Sequence, residues 1–181
     1  MTVDAQAVLA FWFQELTPAQ WFKKDDNMDR QIAERFSDVL ARAAACECFE
    51  WRRTAQGRLA EIIVLDQFSR NIYRNEARAF VNDALALGLA QEAVANGADQ
   101  TLSAVERSFL YMPYMHSESA AIHTVALQLF DQAGLENNLD FEKRHKAIID
   151  RFGRYPHRNA LLGRPSTPEE IEFLQQPSSS F

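Results

Sequence analysis

Apolar residues recur at helical spacing from one end of this chain to the other, and strand-like alternation is nearly absent. Val8, Phe11 and Trp12 follow i, i+3, i+4. Ile32, Phe36, Val39, Leu40 and Ala43 form one stripe of a helix from about Asp26 to Cys46. Leu59, Ile62 and Ile63 do the same between about Ala55 and Asn71, and Phe141, His145, Ile148, Ile149 and Phe152 define a helix ended by Gly153. A further helix from about Glu76 to Asn96 has Gly97 at the position where a left-handed residue closes a helix. Three capping boxes mark N-termini: Thr17-Pro18-Ala19-Gln20, Ser103-Ala104-Val105-Glu106 and Thr167-Pro168-Glu169-Glu170. Two of them carry Pro at the first helical position. The only strand candidate, Ile62-Ile63-Val64-Leu65, lies inside a helical stripe.

Six Gly and six Pro in 181 residues leave long Ala-, Leu-, Glu-, Arg- and Gln-rich stretches, which favour helix. The length suits one domain with a core large enough to need no staple. The expected fold is all-α: a single-domain antiparallel array of about eight helices joined by short loops, over residues 1–175, with 176–181 a disordered tail. Cys46 and Cys48 are one residue apart, neither a zinc nor a redox spacing, and read as reduced thiols. No apolar run reaches about 18 residues and no signal-peptide pattern opens the chain, so a cytoplasmic protein with no membrane contact is expected.

The charge is unevenly placed. Between Glu142 and Arg164 lie seven basic residues (Lys143, Arg144, Lys146, Arg151, Arg154, Arg158, Arg164) against Glu142 and Asp150, a balance of +5. The whole chain carries −6, so the remainder carries −11. Such an island either neutralises the protein's own carboxylates or docks an anion. Within it, Gly153 and Pro156 frame a loop in which Arg154, Arg158 and Asn159 could contact a ligand. His157, depressed by nearby guanidiniums, could act as a general base or be a solvated loop residue.

Two further clusters carry potential chemistry. Asp66 falls on an apolar stripe with Arg70 one turn on and Arg74 a turn beyond; this is either a buried ion pair or a ladder that leaves a guanidinium for a ligand. Pro113 removes a helical donor, so the chain should kink or restart just before His116, Ser117 and Glu118, aiming them inward, unless Ser117 or Ser119 merely caps the next helix. His145 reads as a core histidine. No pair of histidines and carboxylates has the i,i+4 spacing of a helical metal site, so neither metal nor cofactor is expected.

Val8-Leu9-Ala10-Phe11-Trp12-Phe13, Leu65-Asp66-Gln67-Phe68 with Arg70-Asn71, Met112-Pro113 with His116-Ser117-Glu118, and Arg151 through Asn159 resemble the family called domain of unknown function 924. The likeness runs from Val8 to Leu174. It implies a tetratricopeptide-like helical fold in a bacterial cytoplasmic protein and carries over no catalytic role. Ser69 stands where the resemblance leads one to expect Pro, and His123 where it leads one to expect Gln.

Two functions follow as expectations. One is an enzyme on a small anionic substrate, with His116, Glu118 and His157 handling protons and Arg70, Arg74, Ser117, Arg154, Arg158 and Asn159 binding it, supported structurally by Asp66 and His145. The other is a non-catalytic tetratricopeptide-like module for an acidic peptide or partner protein. A net negative charge argues against nucleic acid. The sequence leaves oligomeric state open.

Overall fold

The computed structural model describes residues 3–180, and among them every regular element is helical. The α-helices are α1 (Ala5–Ala10), α2 (Pro18–Trp21), α3 (Asp26–Ala44), α4 (Ala55–Ile63), α5 (Ser69–Ile72), α6 (Asp83–Ala95), α7 (Ala104–Met115), α8 (Ala120–Phe130), α9 (Glu136–Phe152) and α10 (Pro168–Leu174). A π turn, Val64–Phe68, joins α4 and α5 into one rod, so these ten segments make nine helices; a second π turn, Phe11–Glu15, extends α1. The array is compatible with a tetratricopeptide-like arrangement. None of the helices is long and apolar enough to cross a membrane.

All three capping boxes form: the side chains of Gln20, Glu106 and Glu170 each reach back to the backbone N–H of their cap residue. The α4–α5 rod is the centre of the molecule. Every residue from Leu59 to Ser69 is buried, which explains the strand-like run Ile62–Leu65: a helix covered on all sides reads as continuously apolar. Around it, Phe11, Trp12, Phe36, Phe68 and Phe109 pack with ring centroids 4.7–6.1 Å apart.

Two local expectations are corrected. The helix expected from Glu76 to Asn96 is divided: a 3₁₀ turn, Ala77–Phe80, precedes α6, because Asn82 turns its side chain to the Ser69 hydroxyl and the helix restarts at Asp83. Pro113 does not break its helix. It lies in the last turn of α7, which continues to Met115, and the chain restarts only at Ser119. At the C-terminus, residues 175–180 form turns, with Ser179 buried and its hydroxyl on the Leu174 carbonyl; Phe181 lies outside the described residues.

Candidate functional site

The π turn in the central rod carries Asp66 and Gln67. Such a turn inserts one residue into the helical register and re-aims side chains, a device that recurs at functional sites. Here it places a carboxylate, 1 % exposed, among donors. The Asp66 Oδ1 lies 2.7 Å from His116 Nδ1 and 3.2 Å from an Arg70 nitrogen, and Oδ2 accepts from the Gln67 amide at 2.6 Å. Burial by itself would raise this carboxyl; the His116 ring, the Arg70 guanidinium and the Gln67 amide outweigh it and hold the group ionised, well below the usual carboxylate range.

His116 is the C-terminal cap of α7. A carboxylate only accepts, so the proton on the neutral ring sits at Nδ1 and Nε2 carries the lone pair. The side chain is 17 % exposed, and among the described residues Nε2 has no hydrogen-bond partner and is not a buried unpaired atom, so it meets solvent. Burial, reinforced by Arg70 and opposed by Asp66, pushes the imidazole below its ordinary pKa. The result is a neutral base oriented by a buried carboxylate.

Two guanidiniums border this dyad. Arg70 donates to the Asp66 carbonyl and grips both oxygens of Asp83, at 2.9 and 3.0 Å. Arg158 donates to Asp83 Oδ2 at 3.2 Å and to the His116 carbonyl at 3.0 Å, with Phe80 and Tyr155 rings 4.6 and 4.7 Å from its guanidinium. Burial and Arg70 lower the Arg158 pKa from its usual value, and Asp83 opposes them. Two arginines thus share one partly exposed aspartate beside the open nitrogen of His116.

The other expected site residues are distributed differently. Glu118 accepts the Tyr155 N–H and a two-pronged grip from Arg164 at 2.6 and 2.9 Å. Burial would raise its carboxyl, but those donors hold it below the ordinary value, so it is a poor proton donor at neutral pH. Arg154 turns away to Glu170 and the Pro165 carbonyl. Asn159 is buried, bonded to Glu170, Ser166 and Arg164, and frames the C-terminal loop. Arg74 is not on the Asp66 face: the π turn shifts the register and α5 stops at Ile72, so Arg74 pairs with Asp29 of α3. Ser117 contributes its carbonyl, which accepts from His123 Nε2 at 2.8 Å. Ser119 takes the N-cap position of α8 without a side-chain capping bond.

His145 is buried, its Nδ1 donating to the Phe141 carbonyl. His157 is part-buried, and its pKa falls to about 4, from burial first and Arg158 second. His157 feels the charges of Arg158, Glu118 and Arg70, so it belongs to the same electrostatic cluster as His116. Six of the seven basic residues of the island are paired with the protein's own carboxylates. Neutralisation is therefore the main role of the island, and Arg158 is the member that reaches the dyad.

Asp83, Gln67, Tyr155 and the pair His123–Glu142 are not among the site residues expected from sequence. Gln67 lies inside one of the motifs that carry the family resemblance, but nothing in its spacing shows that its amide holds Asp66. Asp83 falls inside the helix expected from Glu76 to Asn96, and nothing in its spacing marks it as the partner of two arginines. Two shallow concavities lie elsewhere, one including Asp26, Asp29 and Arg74, the other Phe141, Ile148 and Phe173; the dyad lines neither. Among the described residues no three His, Cys, Asp or Glu side chains are grouped to hold a metal ion.

The fold is similar to that of the solved "Structure of Protein of Unknown Function ATU0120 from Agrobacterium tumefaciens", with a TM-score of 0.91 and 38 % sequence identity, covering 96 % of this chain and 97 % of that one. No curated protein matches the chain. The family model described as "Bacterial protein of unknown function (DUF924)" matches residues 8–178, and the chain belongs to that family.

Proposed function

We propose that this protein is an enzyme acting on a small anionic molecule by acid–base chemistry at the Asp66–His116 dyad. The carrying observation is geometric: a buried carboxylate fixes Nδ1 of His116 while Nε2 faces solvent. That arrangement sets both the tautomer and the direction of a general base. Arg70 and Arg158 supply the anion contacts, the fork of each suited to carboxylate or phosphate. Glu118, Arg154, Asn159 and Arg74 have structural roles in this reading, since their partners (Arg164, Glu170, Ser166 and Asp29) lie away from the dyad. The unlinked thiols of Cys46 and Cys48 suit a cytoplasmic setting.

Thermal denaturation in phosphate, sulfate or a dicarboxylate, against chloride at equal ionic strength, tests it. A ligand of the native state raises the melting temperature, by about 2.7 kcal/mol of stabilisation at a hundred times its Kd. The gain should shrink in Arg70→Gln and persist in Arg154→Ala. Equal shifts in wild type and Arg70→Gln would return both arginines to the role of internal counter-ions.

A further inference from the structure

The connection between α7 and α8 is held in an unusual way. The last carbonyls of a helix have no partner within it and ordinarily turn to water. Here the carbonyls of the last helical residue, its cap and the residue after it are each taken by a side-chain donor. Met115 O accepts from the Tyr155 hydroxyl at 2.5 Å, His116 O from Arg158 at 3.0 Å, and Ser117 O from His123 Nε2 at 2.8 Å. The three residues are consecutive, and the middle one carries the base.

We propose that His123 and Tyr155 are positioning residues for His116, acting through the backbone on either side of it. The proposal rests on the reading of His116 as the proton-transferring group. Neither side chain reaches the dyad itself; each grips the peptide next to it. The donors are fixed in turn. Tyr155 is fully buried, 6.2 Å from the His123 ring centroid, and its hydroxyl lies 3.1 Å from His123 Nε2. His123 Nδ1 lies 2.6 Å from Glu142 Oε1, and both residues are fully buried.

The chemistry of that pair explains why a histidine can serve there. Ser117 O can only accept, so His123 Nε2 must carry a proton. Nδ1 and Glu142 then share one more proton, either as imidazole and carboxylic acid or as imidazolium and carboxylate. The pair is neutral in both forms. Burial raises the Glu142 carboxyl, and its Oε2 is buried with no partner among the described residues, which favours the protonated acid. With the Glu142 acid donating to Nδ1, the ring keeps its proton on Nε2, and the tautomer that feeds Ser117 O is fixed. A fully buried ionisable pair is weakly justified by stability; directing one donor at one carbonyl is a use that apolar residues could not replace.

Nitrogen-15-labelled histidine tests this without any ligand. In wild type the His116 ring should show the Nδ1–H tautomer at neutral pH. In His123→Leu, and in Tyr155→Phe, which keeps the ring and removes only the hydroxyl, the His116 titration midpoint should move by about half a pH unit or more, with the second tautomer appearing. His123→Gln, whose amide can donate to Ser117 O and accept from Glu142, should restore the wild-type spectrum. Folded His123→Leu and Tyr155→Phe proteins with an unchanged His116 spectrum would overturn the proposal, as would a Gln variant that behaves like Leu. If His123→Leu does not fold, Tyr155→Phe decides on the same readout. No anion enters this measurement, so its outcome is independent of whether the protein binds anions.

Discussion

Asp66 and His116 are 50 residues apart in the chain and 2.7 Å apart in the fold. One comes from a π turn in the most buried helix, the other caps the C-terminal end of α7, just past its buried last turns, and is 17 % exposed. Asp66 therefore links the core to the surface base. Three donors converge on it, and one of them, Arg70, has a second acid in Asp83. Removing one partner of a buried ion pair costs about 3–5 kcal/mol. Because Arg70 keeps Asp83, Asp66→Ala should fall at the lower end, about 3 kcal/mol. Urea unfolding of the two proteins measures this. A variant as stable as wild type would mean that the dyad is no part of the fold's framework.

Asp83 occupies the space between Arg70 and Arg158 that an incoming anion would need. On the proposed reading, its carboxylate competes with that anion. Asp83→Asn keeps the shape and removes the charge, so phosphate or a dicarboxylate should bind about tenfold more tightly, a gain of about 1.4 kcal/mol. Thermal shift or calorimetry at fixed ionic strength reads the difference. Weaker binding in Asp83→Asn would show that Asp83 holds the arginines in place for the ligand instead of competing with it.

Arg154 and Arg158 are four residues apart in one loop and should behave differently. Arg154 is partly exposed and bonded to Glu170, which also accepts the Thr167 N–H and the Asn159 amide. Arg154→Ala should cost little, since the Glu170 carboxylate keeps its other donors. Arg158 is buried between two rings and holds the His116 carbonyl, so Arg158→Ala should cost more, about 3 kcal/mol or above. Denaturant midpoints that fall in the reverse order would place the weight of the loop on the C-terminal helix.

The helices are legible in the sequence because burial of one face imposes a 3.6-residue period, and Ile32 through Ala43 shows it plainly. The start of α6 is not. Its restart at Asp83 depends on Asn82 finding Ser69, thirteen residues away, a contact no local pattern records. The dyad is half legible. A lone Asp66 on an apolar stripe demands a partner, and Arg70 stands at i+4. His116 draws notice through its neighbourhood to Pro113, yet nothing in the spacing joins it to Asp66. The ladder through Arg74 fails because it assumes an uninterrupted α-helix, whereas the π turn at Val64–Phe68 changes the register. Charge counting finds the basic island, and Glu118 and Asp150 stand in the sequence as acids that could pair with it, as Glu118 does with Arg164 and Asp150 with Lys146; Asp83 and Glu170 take Arg158 and Arg154 with no spacing to show it.

The buried histidines set how the protein should respond to acid. Burial, opposed by a bond to the Phe141 carbonyl and aided by His116, His123 and His157, holds His145 down to about 3; burial and Arg158 hold His157 down to about 4. In the unfolded chain both titrate near 6.5, approximately the ordinary value. Between the folded and unfolded values the unfolded chain binds more protons, so stability rises with pH there and is lost as pH falls. The loss should begin near pH 6.5 and run to about 4 for His157 and about 3 for His145. At roughly 1.4 kcal/mol per pKa unit, each imidazole bears on the order of 3–5 kcal/mol. The depressed carboxyls act lower. Glu170, held to about 2 first by Arg154, and Asp66 contribute stability that is present above the unfolded value of about 4 and is lost as pH falls through the folded one. The expected profile is thus a decline in two stages, imidazoles first. Urea midpoints between pH 8 and 2 should trace it, and His157→Gln should flatten the upper stage. A midpoint that stays constant from pH 6.5 to 4.5 in wild type would mean that both imidazoles charge freely within the fold, and that their burial does not restrain them.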